Sequence, residues 1–262
     1  MDQGAEVLVD DSLAQRGRRM LKALHACAPV PSDIHAHYVG NRKILIVWGG
    51  GRPDRVDLLK RHRAAGGITV AWDLAYWDRD GAARLGINSL HPTAAQLEKA
   101  PEGPGRRDFV LRDDADPAGP TMLVGLGHKS ARMLNVGALD WERKRLRQLQ
   151  ARFPGRPIWW RPKGKDFMPL PDTVPRWGMP IDEALRGCSL VVCRHSNVAV
   201  DACVAGVPVE CDDGAAAALY RGNPRPTREQ RAEFLRRLTF WEWRPDEAAQ
   251  AWAWILRVTE CD

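Results

Sequence analysis

Residues 189–217 carry the densest set of groups able to hold an anion. Ser189-Leu190-Val191-Val192-Cys193 is an apolar, strand-like run, and His195-Ser196-Asn197 follows it. Ser196-Asn197 is a natural N-cap and Gly206 a natural helix stop, so a helix is expected between them. Val207-Pro208-Val209-Glu210-Cys211 then reads as a second strand, and Asp213-Gly214-Ala215 as a turn. Such a βαβ unit offers unpaired N–H groups at the start of its helix, where phosphate binds well. His195 and Ser196 form the turn before that helix. Asp201 lies one turn inside and can reach a ribose hydroxyl, as acidic side chains do in nucleotide sites. The backbone at Asp213 and Gly214 can meet a sugar or a phosphate, and a plain turn explains the same residues equally well.

Other clusters follow the same logic. Arg161-Pro162-Lys163-Gly164-Lys165 comes directly after the strand-like Pro157-Ile158-Trp159-Trp160. Cations there can neutralise a diphosphate leaving group; a solvated basic loop is the alternative. Gly125-Leu126-Gly127-His128-Lys129-Ser130 follows the strand-like Thr121-Met122-Leu123-Val124. It does not satisfy the P-loop spacing, which argues against a Walker ATPase. Gly127 and Lys129 remain candidates for a phosphate or an acceptor. Gly49-Gly50-Gly51-Arg52 stands between a strand and a helix, without the spacing of a dinucleotide fingerprint. It is either a tight turn or the lining of an acceptor site. A Ser-His hydrolase is disfavoured because no G-x-S-x-G elbow occurs. His35-Ala36-His37 lacks a convincingly spaced third ligand, so no metal is expected.

The order strand, His-Ser, helix with an internal acid, Ala-Gly-Val-Pro-Val, then Asp-Gly-Ala resembles the donor half of GT-B glycosyltransferases. The capsule-polysaccharide and phage branches are the most similar. In that family the motif holds the nucleotide of a sugar nucleotide. The family usually has Glu where this chain has Asp201, and prefers His where it has Lys163. The resemblance spans roughly residues 43–260 and is strongest over 120–217. It implies two Rossmann-like domains facing across a cleft, with the last helix crossing back to the first. By this likeness Arg161, Lys163, His195, Ser196, Asn197, Asp201, Asp213, Gly214, Gly127 and Lys129 contact the donor. Asp73, closing the strand-like Ile68-Thr69-Val70-Ala71-Trp72, is the candidate base, since polar groups at strand ends face the ligand crevice. A turn or cap aspartate is the plain alternative. Gly49, Gly50, Gly51, Arg52, Trp72, Tyr76 and Trp77 are the acceptor candidates, the aromatics by stacking on a sugar or base.

The chain has 262 residues, 44% of them apolar, with 39 Lys and Arg against 33 Asp and Glu and a net charge of +6. That size allows one large domain or two small ones. No apolar run is long enough for a membrane span. The acidic first ten residues do not look like a signal peptide, so a cytoplasmic protein is expected, in a host cell if phage-encoded. Six cysteines without a Cys-x-x-Cys pair read as reduced, mostly buried thiols. Eleven tryptophans suit either stacking on sugars and bases or a Trp-rich core.

Helices are expected over 12–26, 53–65 and 138–152, after Pro180, and at Thr227 and Pro245. Residues 100–120, rich in Pro, Gly, Asp and Arg, read as a linker. The expectation is therefore α/β architecture with an acceptor domain over 1–118. A donor domain with C-terminal helices covers 119–262. The activity that the resemblance implies is metal-independent transfer of a hexose-type sugar from a nucleotide diphosphate sugar, UDP-linked by expectation, to a hydroxyl. No cofactor is needed. Similar compact GT-B proteins occur in tailed phages, where some glycosylate hydroxymethylated bases in DNA. The resemblance thus implies a hydroxymethylated pyrimidine in phage DNA as acceptor ahead of a polysaccharide or lipid, and the basic balance, arginine clusters and tryptophans fit it. A non-catalytic nucleic-acid-binding module is the contrasting reading. The sequence leaves the sugar, the stereochemical outcome and the oligomeric state open.

Overall fold

A computed structural model describes residues 1–163 and 168–260 of the chain. The fold is mixed α/β and divides into two compact units. One comprises Met1–Gly103 with the segment from Arg237 onward, the other Pro104–Arg236.

The first unit is built on β1 (Asp2–Leu8), β2 (Ser32–His35), β3 (Arg42–Trp48), β4 (Ile68–Leu74) and β5 (Ala83–Ile87), with α1 (Gln15–Ala26), α2 (Pro53–Ala64) and α3 (Ala94–Glu98). A short strand, Glu242–Trp243, completes the sheet beside β5, giving the order Glu242–Trp243, β5, β4, β3, β1, β2. β1 to β4 are parallel, while β5 and the closing strand run antiparallel to their neighbours. Continuous apolar runs explain the parallel core: Ile44 to Val47 and Val70 to Trp72 are buried on both faces. β1 was not expected as a strand. Its Ala5, Val7 and Leu8 are buried, and Glu6 between them is fully buried and accepts the Val39 and Gly40 N–H groups at 2.6 and 2.8 Å.

The segment after residue 236 packs with the first unit, the domain to which the resemblance carries the last helix, although the donor-domain bounds ran to residue 262. Buried Glu242 accepts the N–H groups of Tyr76, Trp77 and Asp78 at 2.7, 3.0 and 3.2 Å. Trp252 Nε1 donates to Leu24 O at 2.7 Å, and Lys99 Nζ to Val258 O at 2.8 Å. The closing helix, Ala248–Thr259, buries Trp252, Trp254, Ile255 and Val258 in the same unit.

The second unit holds a five-stranded, wholly parallel sheet. Its strands are β6 (Thr121–Val124), β7 (Ile158–Arg161), β8 (Val174–Pro175), β9 (Leu190–Cys193) and β10 (Val209–Cys211), in the order β10, β9, β6, β7, β8. Its helices include α4 (His128–Met133), α5 (Asp140–Arg152), α6 (Ile181–Leu185), α7 (Val198–Ala205) and α8 (Ala217–Tyr220); α9 (Arg228–Leu238) begins in this unit. Trp141, Leu146 and Leu149 of α5 pack on Leu123, Ile158, Trp160 and Val192 of the strands. Thr227 and Gln230 form a capping box at the helix start expected there, with reciprocal bonds of 2.8 and 3.3 Å. No helix among the described residues is long and apolar enough to cross a membrane.

Candidate functional site

The strand order of the second unit places its functional edge. The chain leaves β6 towards β7 and β8, then returns to β9 on the opposite side of β6. Diverging connections of this kind leave a crevice at the carboxyl ends of the two central strands. The segments emptying into it are Gly125–Ser130 after β6 and Arg194–Asn197 after β9. Both had been singled out by their residue types, and one bond joins them: Ser130 Oγ lies 2.8 Å from His195 Nε2.

The helix starts where the sequence places it, but its cap residue Asn197 makes no side-chain capping bond. Ser196 Oγ accepts the Val198 N–H at 3.3 Å, and the Asn197 carbonyl accepts from Val200 and Asp201. Asp201 lies in the first turn of α7. Gly206 ends the helix at φ +77°, in the left-handed conformation that favours glycine.

The turn after β10 comes back to the same place. The Asp213 N–H donates to the Arg194 carbonyl at 2.8 Å, and its carboxylate faces Arg194 Nε and His195 Nδ1, each at 3.3 Å. Burial works to raise the Asp213 pKa, but the His195 and Arg194 contacts outweigh it and hold the carboxyl below the ordinary range. Gly214 adopts φ +90°, and a Cβ there would lie 3.2 Å from His195 Cα. His195, Asp213 and Gly214 therefore belong to one built turn. Asp212, which sequence reasoning passed over, accepts Trp141 Nε1 at 2.9 Å and pairs with Arg145, so the turn is tied to α5.

A small recess of about 40 Å³ is lined by Gly125, Gly127, His128, Glu142, Trp160 and Lys163 among others. Gly127, at φ +76°, lets the loop pass close to the Lys163 backbone. Glu142 is buried and accepts the Leu126 N–H at 2.8 Å, which fixes the loop's path. Lys129 is exposed on α4. Arg161 Nη1 donates to the carbonyls of Arg176 and Met179 at 3.2 and 3.0 Å, clamping the following loop. Gly164 and Lys165 lie outside the described residues.

The remaining candidates all belong to the first unit. Its own strand order diverges at β1, towards β2 on one side and β3 on the other. Gly49 to Arg52 follow β3 there. Gly49 is at φ +72°, its N–H bonded to Trp72 O at 2.7 Å. A Cβ on Gly50 would meet Leu90 at 2.8 Å and Ala71 at 2.9 Å, so that glycine serves packing. Gly51 completes the turn, and Arg52 bonds Ser12 Oγ at 2.9 Å and pairs with Asp54. Asp10, at the end of β1, pairs with Arg55; the composition-based view of the N-terminus gave no hint of it.

Asp73 sits near the end of β4 as expected, but its carboxylate pairs with Arg84 at 3.1 Å across the antiparallel β4–β5 ladder and accepts the Leu74 N–H at 2.7 Å. Trp72 and Tyr76 were expected to stack on an acceptor. Both are fully enclosed at 0% exposure and present no face to a ligand. Trp77 is half-buried beside Tyr76. The tryptophans mainly fill cores: Trp72, Trp141, Trp160, Trp241, Trp243, Trp252 and Trp254 are buried, whereas Trp177 is exposed.

No protein-family model matches the chain, and no curated protein matches it. Solved structures do resemble it. The beta Kdo 2,4 transferase KpsC of Thermosulfurimonas dismutans superposes with a TM-score of 0.53 at 11% identity, covering 88% of this chain and 89% of that one. The beta Kdo 2,7 transferase KpsC of the same organism gives 0.55 at 12% identity and covers both chains fully. At such identity the likeness is one of fold.

Proposed function

We propose that the chain is a glycosyltransferase that binds a nucleotide diphosphate sugar at the carboxyl edge of the Pro104–Arg236 unit and passes its sugar to a hydroxyl. One observation carries this: the loops after β6, β9 and β10 converge at the divergence point of a parallel sheet, in a fold shared with two Kdo transferases. A polar crevice at that position is where open α/β sheets take nucleotides.

In this scheme the start of α7 and Lys163 hold the diphosphate, and the departing charge is stabilised there. Asp201 takes the ribose. Asp213 and Gly214 shape the turn that positions His195. Asp73 is proposed as the base for the acceptor hydroxyl, which requires that the acceptor compete with Arg84 for its carboxylate. UDP is the first nucleotide to test, and the acceptor classes are a glycan or a hydroxymethylated pyrimidine in DNA. The structural relatives' printed activities add Kdo to the sugars worth offering.

The test is product analysis. The full chain is incubated with a panel of sugar nucleotides and, separately, with oligosaccharides, plain DNA and hydroxymethylated DNA. A sugar-sized mass gain on one acceptor supports transfer and names the acceptor. Salt-sensitive DNA binding without use of any donor would replace the proposal with a binding module. Donor consumption that never yields a glycosylated acceptor would point to another sugar-nucleotide enzyme.

A further inference from the structure

Ser130 in α4, His195 after β9 and Asp213 after β10 lie side by side. Ser130 Oγ lies 2.8 Å from His195 Nε2, and His195 Nδ1 lies 3.3 Å from Asp213 Oδ1. The charge of an ionised carboxylate 3.3 Å away favours the imidazole tautomer with the proton on Nδ1, although the contact is not aligned as a hydrogen bond. Nε2 then presents its lone pair, and the Ser130 hydroxyl donates to it. Arg194 Nε faces the second Asp213 oxygen at 3.3 Å and helps keep that carboxyl ionised. The His195 side chain is only 13% exposed, and the backbone of Gly214 packs against it. Ser130 is half-buried.

A hydroxyl bonded to an imidazole, with a carboxylate beside that imidazole, has the parts of an activated nucleophile, wherever they fall in the sequence. The missing G-x-S-x-G elbow concerns one route to that geometry, not the geometry itself. We propose that Ser130 is a base-activated nucleophile that cleaves small carboxylic esters, an activity separate from sugar transfer. In the first step Ser130 Oγ bonds to the ester carbonyl carbon while its proton passes to His195 Nε2. The ester C–O bond breaks, and the leaving alkoxide takes the proton from Nε2. Water then attacks the acyl-Ser130 carbonyl and gives a proton to His195. Collapse releases the carboxylic acid and returns the proton to Ser130 Oγ.

The test uses the full chain, a fluorophosphonate probe and p-nitrophenyl acetate. The probe should place one phosphonyl group on the peptide containing Ser130, with loss of fluoride, and Ser130→Ala should show none. The p-nitrophenyl acetate should turn over with wild-type protein and not with Ser130→Ala. Removing a general base costs about 10²- to 10⁴-fold, so His195→Ala should label at least about 100-fold more slowly. Asp213→Asn serves as a second variant, checked for folding by circular dichroism, and should also label more slowly. The proposal is overturned by no adduct, by an adduct only at another residue, or by unchanged Ser130 labelling in the folded variants. A labelled Ser130 without ester turnover also overturns the esterase. Sugar-nucleotide affinity measured on the same Ser130→Ala protein separates this outcome from the fate of the transferase proposal.

Discussion

Gly125 is where the candidate site can be perturbed with a calculable effect. It is the first residue after β6, and a Cβ built on it would lie 2.6 Å from Trp160 Cη2 and 3.3 Å from Cζ3. Carbon atoms pack best from about 3.5 Å, so ring or loop must yield by roughly 0.9 Å. Neither has room. Trp160 is 2% exposed, and its Nε1 donates to Met168 O at 3.0 Å. The loop is pinned by the Gly125 N–H on Arg161 O at 3.0 Å and the Leu126 N–H on Glu142 at 2.8 Å. Overpacking costs about 1–3 kcal/mol and loss of one such bond about 1 kcal/mol more. Gly125→Ala should therefore destabilise by about 2–4 kcal/mol. With a urea slope of about 2 kcal/mol/M, the unfolding midpoint falls by about 1–2 M. Tryptophan fluorescence reports it directly, because Trp160 is the residue pressed. A midpoint within about 0.2 M of wild type would refute the contact between the loop and the ring.

Three further outcomes follow from the same geometry. Lys163→Ala should raise the Kd for a nucleotide diphosphate sugar about 10- to 100-fold, the worth of one charge-assisted bond; equal calorimetric titrations would remove Lys163 from the site. Asp73→Asn should cut turnover by about 10²-fold or more while donor binding survives, and wild-type rates in that variant would eliminate Asp73 as base. The Asp213 carboxyl is held below its ordinary value of 3.8, so its contribution to stability is complete above that value and fades as pH falls beneath it. Asp213→Asn should accordingly show a smaller loss of stability between pH 6 and pH 3 than wild type in urea titrations. An identical loss would mean that the His195 and Arg194 contacts do not perturb Asp213.

Much of the second unit was legible because its grammar is local. Ser196, Gly206 and the apolar runs before and after them dictate strand, cap, helix and stop within thirty residues. The same was true of Lys43 to Trp48 and its following glycines. What sequence could not supply was long-range. β1 escaped notice because a buried Glu6 interrupts its apolar pattern, and the loop N–H groups that satisfy that carboxylate come from residues 39 and 40. The closing segment's attachment rests on Glu242 meeting N–H groups more than 160 positions away. Trp72 and Tyr76 looked available for stacking because aromatic residues at a strand end carry no label saying which side is covered. Asp73 and Arg84 became partners only through an antiparallel register that nothing in either segment announces. Burial pushes the Cys188, Cys193 and Cys203 thiols up to about 12, which favours their protonated form, whereas Cys27 is exposed.

Amide hydrogen exchange on the full chain, with and without a saturating sugar nucleotide, locates donor binding without presuming an acceptor. Protection should gather at residues 125–130, 194–199 and 212–214, the three segments that meet at the carboxyl edge of β6, β9 and β10. Binding that leaves those segments unprotected, or no binding to any member of the panel, would contradict a donor site at that edge.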